Sequence, residues 1–458
     1  MLTVAAGDTC TISATTTLDS VVIGTGGYLY APSGYDVTMT VDGVETGQAY
    51  DSIDDLAGWL QPGTYTSSAT GGVVLTVTTQ TTQTGSSDVF PIRQGLYVNS
   101  SGIASDYSVA ASWVNGTTPG DSSATGLVLT STGSTFDGVW IDGATYSLTS
   151  PTISLTGNGR SDFVGDGAGI VGTDGATVTV DGLTLNNTGV VRTAVVSTGG
   201  ANVVVKNSTI TVAGGTLPSD YEANVSEDTM IAAPWMLGIE GTNRATLALG
   251  ESSIASYINS SITAQDWGAL STDSGSDVKL TAINSTVTVE DSGYGTYAIG
   301  SSDNEMLGVT YNTATYLSIS ASGTNTVHFG DSTADAVATL NTSNSIGLTS
   351  TELAALTEQS SSLTSSKYGF MTWGGTNTVT IDGGTTVSTV NALFEDKAED
   401  YTTTYNVTGS SSEAPTLSAD NGVIVQVMDQ DDPGIGSTYT DATATSSTTA
   451  DVRADTTL

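Results

Sequence analysis

One cysteine, one histidine, nine lysine and arginine residues and six phenylalanines are all that this 458-residue chain carries of those types. The lone Cys10 excludes an intramolecular disulfide, so the fold must hold without covalent staples. With no basic group near it, Cys10 reads as a small buried residue near the first strand rather than a reactive thiol. Nine basic residues against 47 acidic ones leave a formal charge of -38, which opposes binding to phosphate backbones and to anionic lipid. Nucleic acid is therefore excluded as a partner. No apolar run has the length of a membrane span, which argues against direct membrane insertion. The start, Met1-Leu2-Thr3, lacks a charged and apolar leader, so a secreted protein would already have lost its signal peptide, with an anchoring region beyond Leu458 also expected. Charged residues make up 12% of the chain and aromatic ones 7%, too few large apolar groups for several thick cores.

What the chain does have is glycine, serine, threonine and β-branched residues in a degenerate repeat. Ala176-Thr-Val-Thr-Val-Asp-Gly-Leu-Thr-Leu185 is followed by Ala201-Asn-Val-Val-Val-Lys-Asn-Ser-Thr-Ile210 and by Ala245-Thr-Leu-Ala-Leu-Gly-Glu-Ser-Ser-Ile254. Later copies run Asp277 to Val287 and Thr376 to Val387. Each alternates apolar and polar residues with period two, bends at a pair such as Asp181-Gly182, Asn207-Ser208 or Asp382-Gly383, and resumes as a second short strand. Asn, Asp and Gly tolerate the left-handed backbone that a sharp bend needs. A second family interleaves: segments beginning at Trp235, Trp267, Tyr294, Tyr368 and Gly422, with an aromatic or Gly at the head of each strand. Two strand types alternating about every 25–35 residues predict a stack of coils whose narrow core is shared between neighbours.

The expected fold is all-β: a right-handed parallel β-helix, or β-solenoid, over residues 91–436. Residues 1–90 are expected to form an N-terminal β capping module, because an uncovered solenoid end is a sheet edge. Its strands are Val37 to Val44 and Val73 to Val77, with the apolar stretch Ile53 to Leu60 and a turn at Pro62-Gly63. Thr351 to Glu358, capped by Thr351, is the one predicted helix, an excursion from a coil. Residues 437–458, rich in Ser, Thr and Asp, are expected to be a loose tail or one lent to a neighbouring molecule.

These repeats resemble right-handed parallel β-helix proteins of the pectin-lyase-like and autotransporter-adhesin-like class. More narrowly, Val37–Val44 with Pro62-Gly-Thr-Tyr65, Ala176–Leu185, Val387–Phe394 and Gly422–Pro433 look like secreted β-helix surface proteins of anaerobic bacteria. The resemblance implies an extracellular, cell-surface structural or adhesive role and specifies no chemistry.

Several groups were candidates for chemistry. A lyase on this scaffold needs a cation to hold a uronate carboxylate and a base to take the proton. The basic residues, Arg93, Arg160, Arg192, Lys206, Arg244, Lys279, Lys367, Lys397 and Arg453, are scattered and read as surface groups. His328, in Thr326-Val-His-Phe-Gly-Asp331, reads as an ordinary strand residue. The densest acidic cluster, Asp429, Asp431 and Asp432, with Glu395-Asp396 and Glu399-Asp400 one coil earlier, is a candidate Ca²⁺ site, weighed against a solvated acidic turn. Asn207 and Asn284, each before Ser-Thr, are candidates for a structural amide ladder. No catalytic or cofactor-binding residue is expected. The function expected is a non-catalytic extracellular solenoid that self-associates head to tail into filaments, or that presents its flanks to a glycan or host surface. The alternative is a polysaccharide lyase or glycoside hydrolase using an Asp pair.

Overall fold

The computed structural model describes residues 1–46, 60–68, 71–84, 89–109, 118–163, 165–226, 229–398, 402–410, 413–429 and 447–452. Within them the chain forms two compact units, Met1–Val196 with Thr211–Ala232, and Ser197–Ile210 with Ala233–Leu458. Both are built from parallel strands stacked coil on coil, the all-β, solenoid-like arrangement that the repeats imply.

The first unit begins with a group of largely antiparallel strands. Tyr35–Val41 turns at Asp42 and Gly43, with φ of 50° and 85°, into the antiparallel strand Val44–Thr46. Asp-Gly supplies the two left-handed residues that such a hairpin requires. Val73–Thr79 pairs antiparallel with Tyr35–Val41, and Ser20–Ile23 with Gly63–Thr66. Val4, Val21, Ile23, Leu29, Met39 and Leu75 fill the space between these strands, and half-buried Cys10 packs against them. Most of the stretch from Ile53 lies outside the described residues, although Leu60 is buried in this core.

Three parallel stacks follow. Val89–Asn99 pairs with Phe136–Asp142, and that with Ile170–Thr173. Ser123–Thr125, Thr145–Thr149 and Thr177–Asp181 form the second stack, and Val128–Ser131, Thr152–Thr156 and Thr184–Thr188 the third. The antiparallel group joins the third through a parallel register of Glu45 with Ser131.

The second unit repeats the plan at greater length. One stack runs from Asn202–Lys206 through Ile254–Ile258, Val278–Ile283, Tyr294–Leu307, Tyr316–Gly330 and Thr376–Ile381 to Thr402–Val407. Another runs from Ser261–Ala264 through Thr286–Val289, Thr310–Thr313, Ser362–Ser365 and Thr386–Thr389 to Thr416–Ala419. Register places Ile262, Val287, Tyr311, Leu363, Val387 and Leu417 in one row, every member buried. This row is the shared core in its simplest form: each side chain touches the copy above and below, so burial accumulates without any thick cluster. Large rings fill the wider part. Phe329, Phe370, Phe394 and Tyr405 succeed one another at centroid separations of 5.6, 5.5 and 4.2 Å.

Several expectations are corrected. The copy beginning at Ala245 is out of phase: Thr246–Leu249 pairs with Gly268–Asp273, in the aromatic-headed stack, and the true copy is Ile254–Ile258. The bend at Gly250 and Ser252, both with positive φ, imitates the corner that Asn259 supplies five residues after Ile254. Trp235–Leu237 is a 3₁₀ turn rather than a strand. Two helices replace the single one: α1, Ala334–Ser343, and α2, Ser350–Ala355. Thr349, not Thr351, caps α2, in a capping box with Glu352. Within residues 437–458, expected to be loose or lent to a neighbouring molecule, Ser447–Val452 is a strand parallel to Thr402–Val407, and the rest lies outside the described residues.

Candidate functional site

Five of the nine basic residues are not the surface groups expected, whereas Lys367 is exposed, Lys206 and Lys279 are partly buried, and Arg453 lies outside the described residues. Arg192 is 0% exposed and Arg244 1%, and Arg93, Arg160 and Lys397 are also buried. Desolvating a guanidinium is costly unless nearly every N–H finds an acceptor, so each lies in a built socket. Arg192 donates to the carbonyls of Phe136 at 2.8 Å, Gly167 at 3.1 Å, Gly133 at 2.5 Å and Thr156 at 3.3 Å. Arg160 meets Asp166 at 2.7 Å, and Arg93 meets Glu45 at 3.2 Å, next to the antiparallel group's register with the first coils. Asp137 accepts from the backbone N–H of Gly167 and Ala168 at 2.7 and 2.8 Å. Burial, and then the neighbouring Asp166, hold its carboxyl well above the usual range against the pull of Arg192. In the second unit Arg244 pairs with Asp273 at 3.0 Å and lies over the Trp267 ring.

Of the candidate Ca²⁺ ligands Asp429, Asp431 and Asp432, only Asp429 falls within the described residues. Asp429 closes the strand Val425–Asp429, its backbone opposite Ala398, whereas Asp431 and Asp432 lie outside the described residues, as do Glu399 and Asp400. Glu395 and Asp396 do fall one coil earlier, opposite Gln426 and Val427. Asp396 is buried and accepts from Thr372 Oγ1 at 2.7 Å and from the Tyr405 hydroxyl. Among the described residues no group of three or more His, Cys, Asp or Glu converges as a metal would need.

The amide ladder takes another form. Asn207, Asn259 and Asn284 all occupy the left-handed corner, with φ near 50°. Asn259 Nδ2 reaches Asn207 Oδ1 at 3.5 Å, but Asn284 Nδ2 turns to the Thr357 carbonyl at 2.8 Å. The continuous ladder belongs to the serines that follow: Ser208 N–H donates to Ser260 Oγ at 3.2 Å, and Ser260 N–H to Ser285 Oγ at 3.1 Å.

The constellation that residue-by-residue reading missed is centred on His328. Register sets Glu305 beside His328, and His328 beside Thr380, on three successive coils. His328 Nδ1 lies 2.7 Å from Glu305 Oε2. Nε2 lies 3.1 Å from Asp382 Oδ1, an ion-pair contact that is off the hydrogen-bond direction. These three line a groove of about 620 Å³, walled by Leu340 of α1 on one side and reached by Asp331 and Glu413. No family model, curated protein or solved structure matches the chain. What the groove can do must therefore be judged from its own groups. Burial disfavours the charged ring, but pairing with Asp382 and Glu305 outweighs it and raises the His328 pKa to about 10. At neutral pH the ring is an imidazolium with no lone pair to offer, so it is a poor general base. The carboxylates remain the groove's hydrogen-bond acceptors. Glu305 and His328 stand on neighbouring copies of the repeat, and only an alignment of the copies in correct phase reveals that they touch.

Proposed function

We propose that the chain is a right-handed, three-faced β-helix acting outside the cell as a non-catalytic structural or adhesive element. In this reading it associates with further copies of itself or displays its flanks to a glycan or host surface. The observation that carries it is the burial of the arginines. With Arg93, Arg160, Arg192 and Arg244 buried, few cations remain to balance the carboxylates of the outer faces. Such a surface stays wet and repels polyanions, and copies of it approach one another only where salt screens the charge or a cation bridges it.

A specific observation favours a second reading. The groove gathers Glu305, Asp331, Asp382 and Glu413, and carboxylates so placed serve a carbohydrate-active enzyme. One experiment separates the two: electron microscopy and light scattering of the purified protein across ionic strength and Ca²⁺, beside a polysaccharide panel assayed for product. Rods or fibres without product release are the expected outcome. Product release that Asp382→Asn abolishes would establish the enzyme and remove the structural reading.

A further inference from the structure

Residues 331–360 leave the coil after Tyr316–Gly330 and return before Ser362–Ser365, forming a flap that carries α1 and α2. The flap lays Val337, Leu340, Ile346 and Leu348 on an outward apolar row, Val204, Ile258, Ile283 and Leu307. Its far side is fastened by Lys206 to Glu352, by Lys279 Nζ to the Ser343 carbonyl at 3.1 Å, and by Asn344 Nδ2 to Thr281 Oγ1 at 2.8 Å. Its root is fastened differently. Ser332 N–H donates to the Gln359 carbonyl at 2.9 Å, closing the two ends on each other. Asp331 accepts from Gly384 N–H at 3.0–3.1 Å, on the same corner that supplies Asp382 to His328. One corner of the next coil thus holds both the histidine and the residue from which the flap departs.

We infer that His328 is a charge-dependent latch: its positive ring, gripped by Glu305 from one coil and Asp382 from another, holds the root of the helical flap shut over the groove. The groups facing the latch are of one sign. Glu305 comes from the preceding coil, Asp382 from the following corner, Asp331 from the flap root and Glu413 from the far wall of the groove. Glu358 accepts from Ala334 N–H at the start of α1. Among the described residues, no lysine or arginine lines the groove. Removing the ring's charge therefore leaves carboxylates facing one another across three coils, and like charges at such range push apart. The groove wall formed by α1 is what yields, because the strands on either side are held by full ladders of backbone hydrogen bonds.

The test is amide hydrogen exchange of the full chain carrying His328→Gln, Asp382→Asn or His328→Arg, together with an NMR titration of the wild type. The single histidine makes its ring signals unambiguous. His328→Gln and Asp382→Asn are expected to speed exchange about tenfold or more in 331–360 while the strands of 268–289 stay protected, and His328→Arg is expected to restore protection. The wild-type ring should not titrate between about pH 5 and 8. The latch is overturned by unchanged exchange in 331–360, by an increase spread evenly over the unit, or by equal opening in His328→Arg and His328→Gln. Should a variant fail to fold, the wild-type titration decides, and a midpoint near the ordinary histidine value overturns the latch.

Discussion

The two units stack strands in the same way and fill the stack with different chemistry. In the first, charge goes inside: Arg192, Arg160, Asp137 and Asp166 sit buried around the glycine-rich segment 157–169, and Arg93 pairs with buried Glu45. The second also buries charge, Arg244 with Asp273 and Asp396 on Tyr405, but the wide part of its interior is mainly aromatic and hydroxylic, with Phe329, Phe370, Phe394 and Tyr405 in sequence and Tyr311 bonded to Thr296. The contrast shows that a solenoid interior must satisfy backbone as well as exclude water. Where carbonyls point into the core at glycine turns and strand ends, as at Gly133, Phe136, Thr156 and Gly167, a guanidinium is the side chain with enough donors to meet several at once. Inside regular strands most carbonyls are already paired in the ladder, and rings suffice.

The sharpest way to break this comparison is Arg192→Ala, which leaves four buried carbonyls without their donor. It is expected to cost about 3–5 kcal/mol. Urea unfolding followed by hydrogen exchange should show the loss concentrated in 133–168, with 268–389 still protected; loss shared equally would mean that the socket is not local. In the second unit Tyr311→Phe removes one hydroxyl, 2.7 Å from Thr296 Oγ1, from an otherwise intact ring row. It is expected to cost about 1 kcal/mol by the same measurement.

The smallest effect probes buried charge through pH. The raised carboxyl of Asp137 keeps its proton in the fold when the unfolded chain would release it. Its contribution is therefore full below the ordinary carboxyl value and is lost as pH rises toward the folded value. Asp137→Asn retains an oxygen for the Gly167 and Ala168 N–H groups. It should narrow the difference in melting temperature between pH 4 and pH 7 relative to wild type. An unchanged difference would place Asp137 among ordinary carboxylates.

Much of the architecture was legible because it is local. Period-two alternation with Asx-Gly or Asn-Ser corners marks Thr177–Asp181, Val278–Ile283 and Thr376–Ile381 as strands wherever they sit. The strands Tyr35–Val41 and Val73–Thr79 were legible for the same reason. What sequence concealed depends on the neighbouring coil. Leu249-Gly250 and Ile258-Asn259 both look like strand followed by bend, and only pairing decides which is the corner. The start of α2 slipped because Thr349 and Thr351 are both good caps, and Glu352 lies three residues from the one that is used. The arginines were misread because burial of a cation is decided by carbonyls far along the chain, such as Gly133 for Arg192. His328 was read alone, without Glu305 or Asp382, for the same reason: its partners come from other coils.

The root of the helical flap has one more consequence. Ser332 and Gln359 are bonded backbone to backbone, so the coil beneath closes whether or not anything is strung between them. That makes residues 333–358 a natural port for grafted sequence. A replacement would need only an apolar underside to cover Val204, Ile258, Ile283 and Leu307, and its outer face would be free to carry any epitope, enzyme or tag.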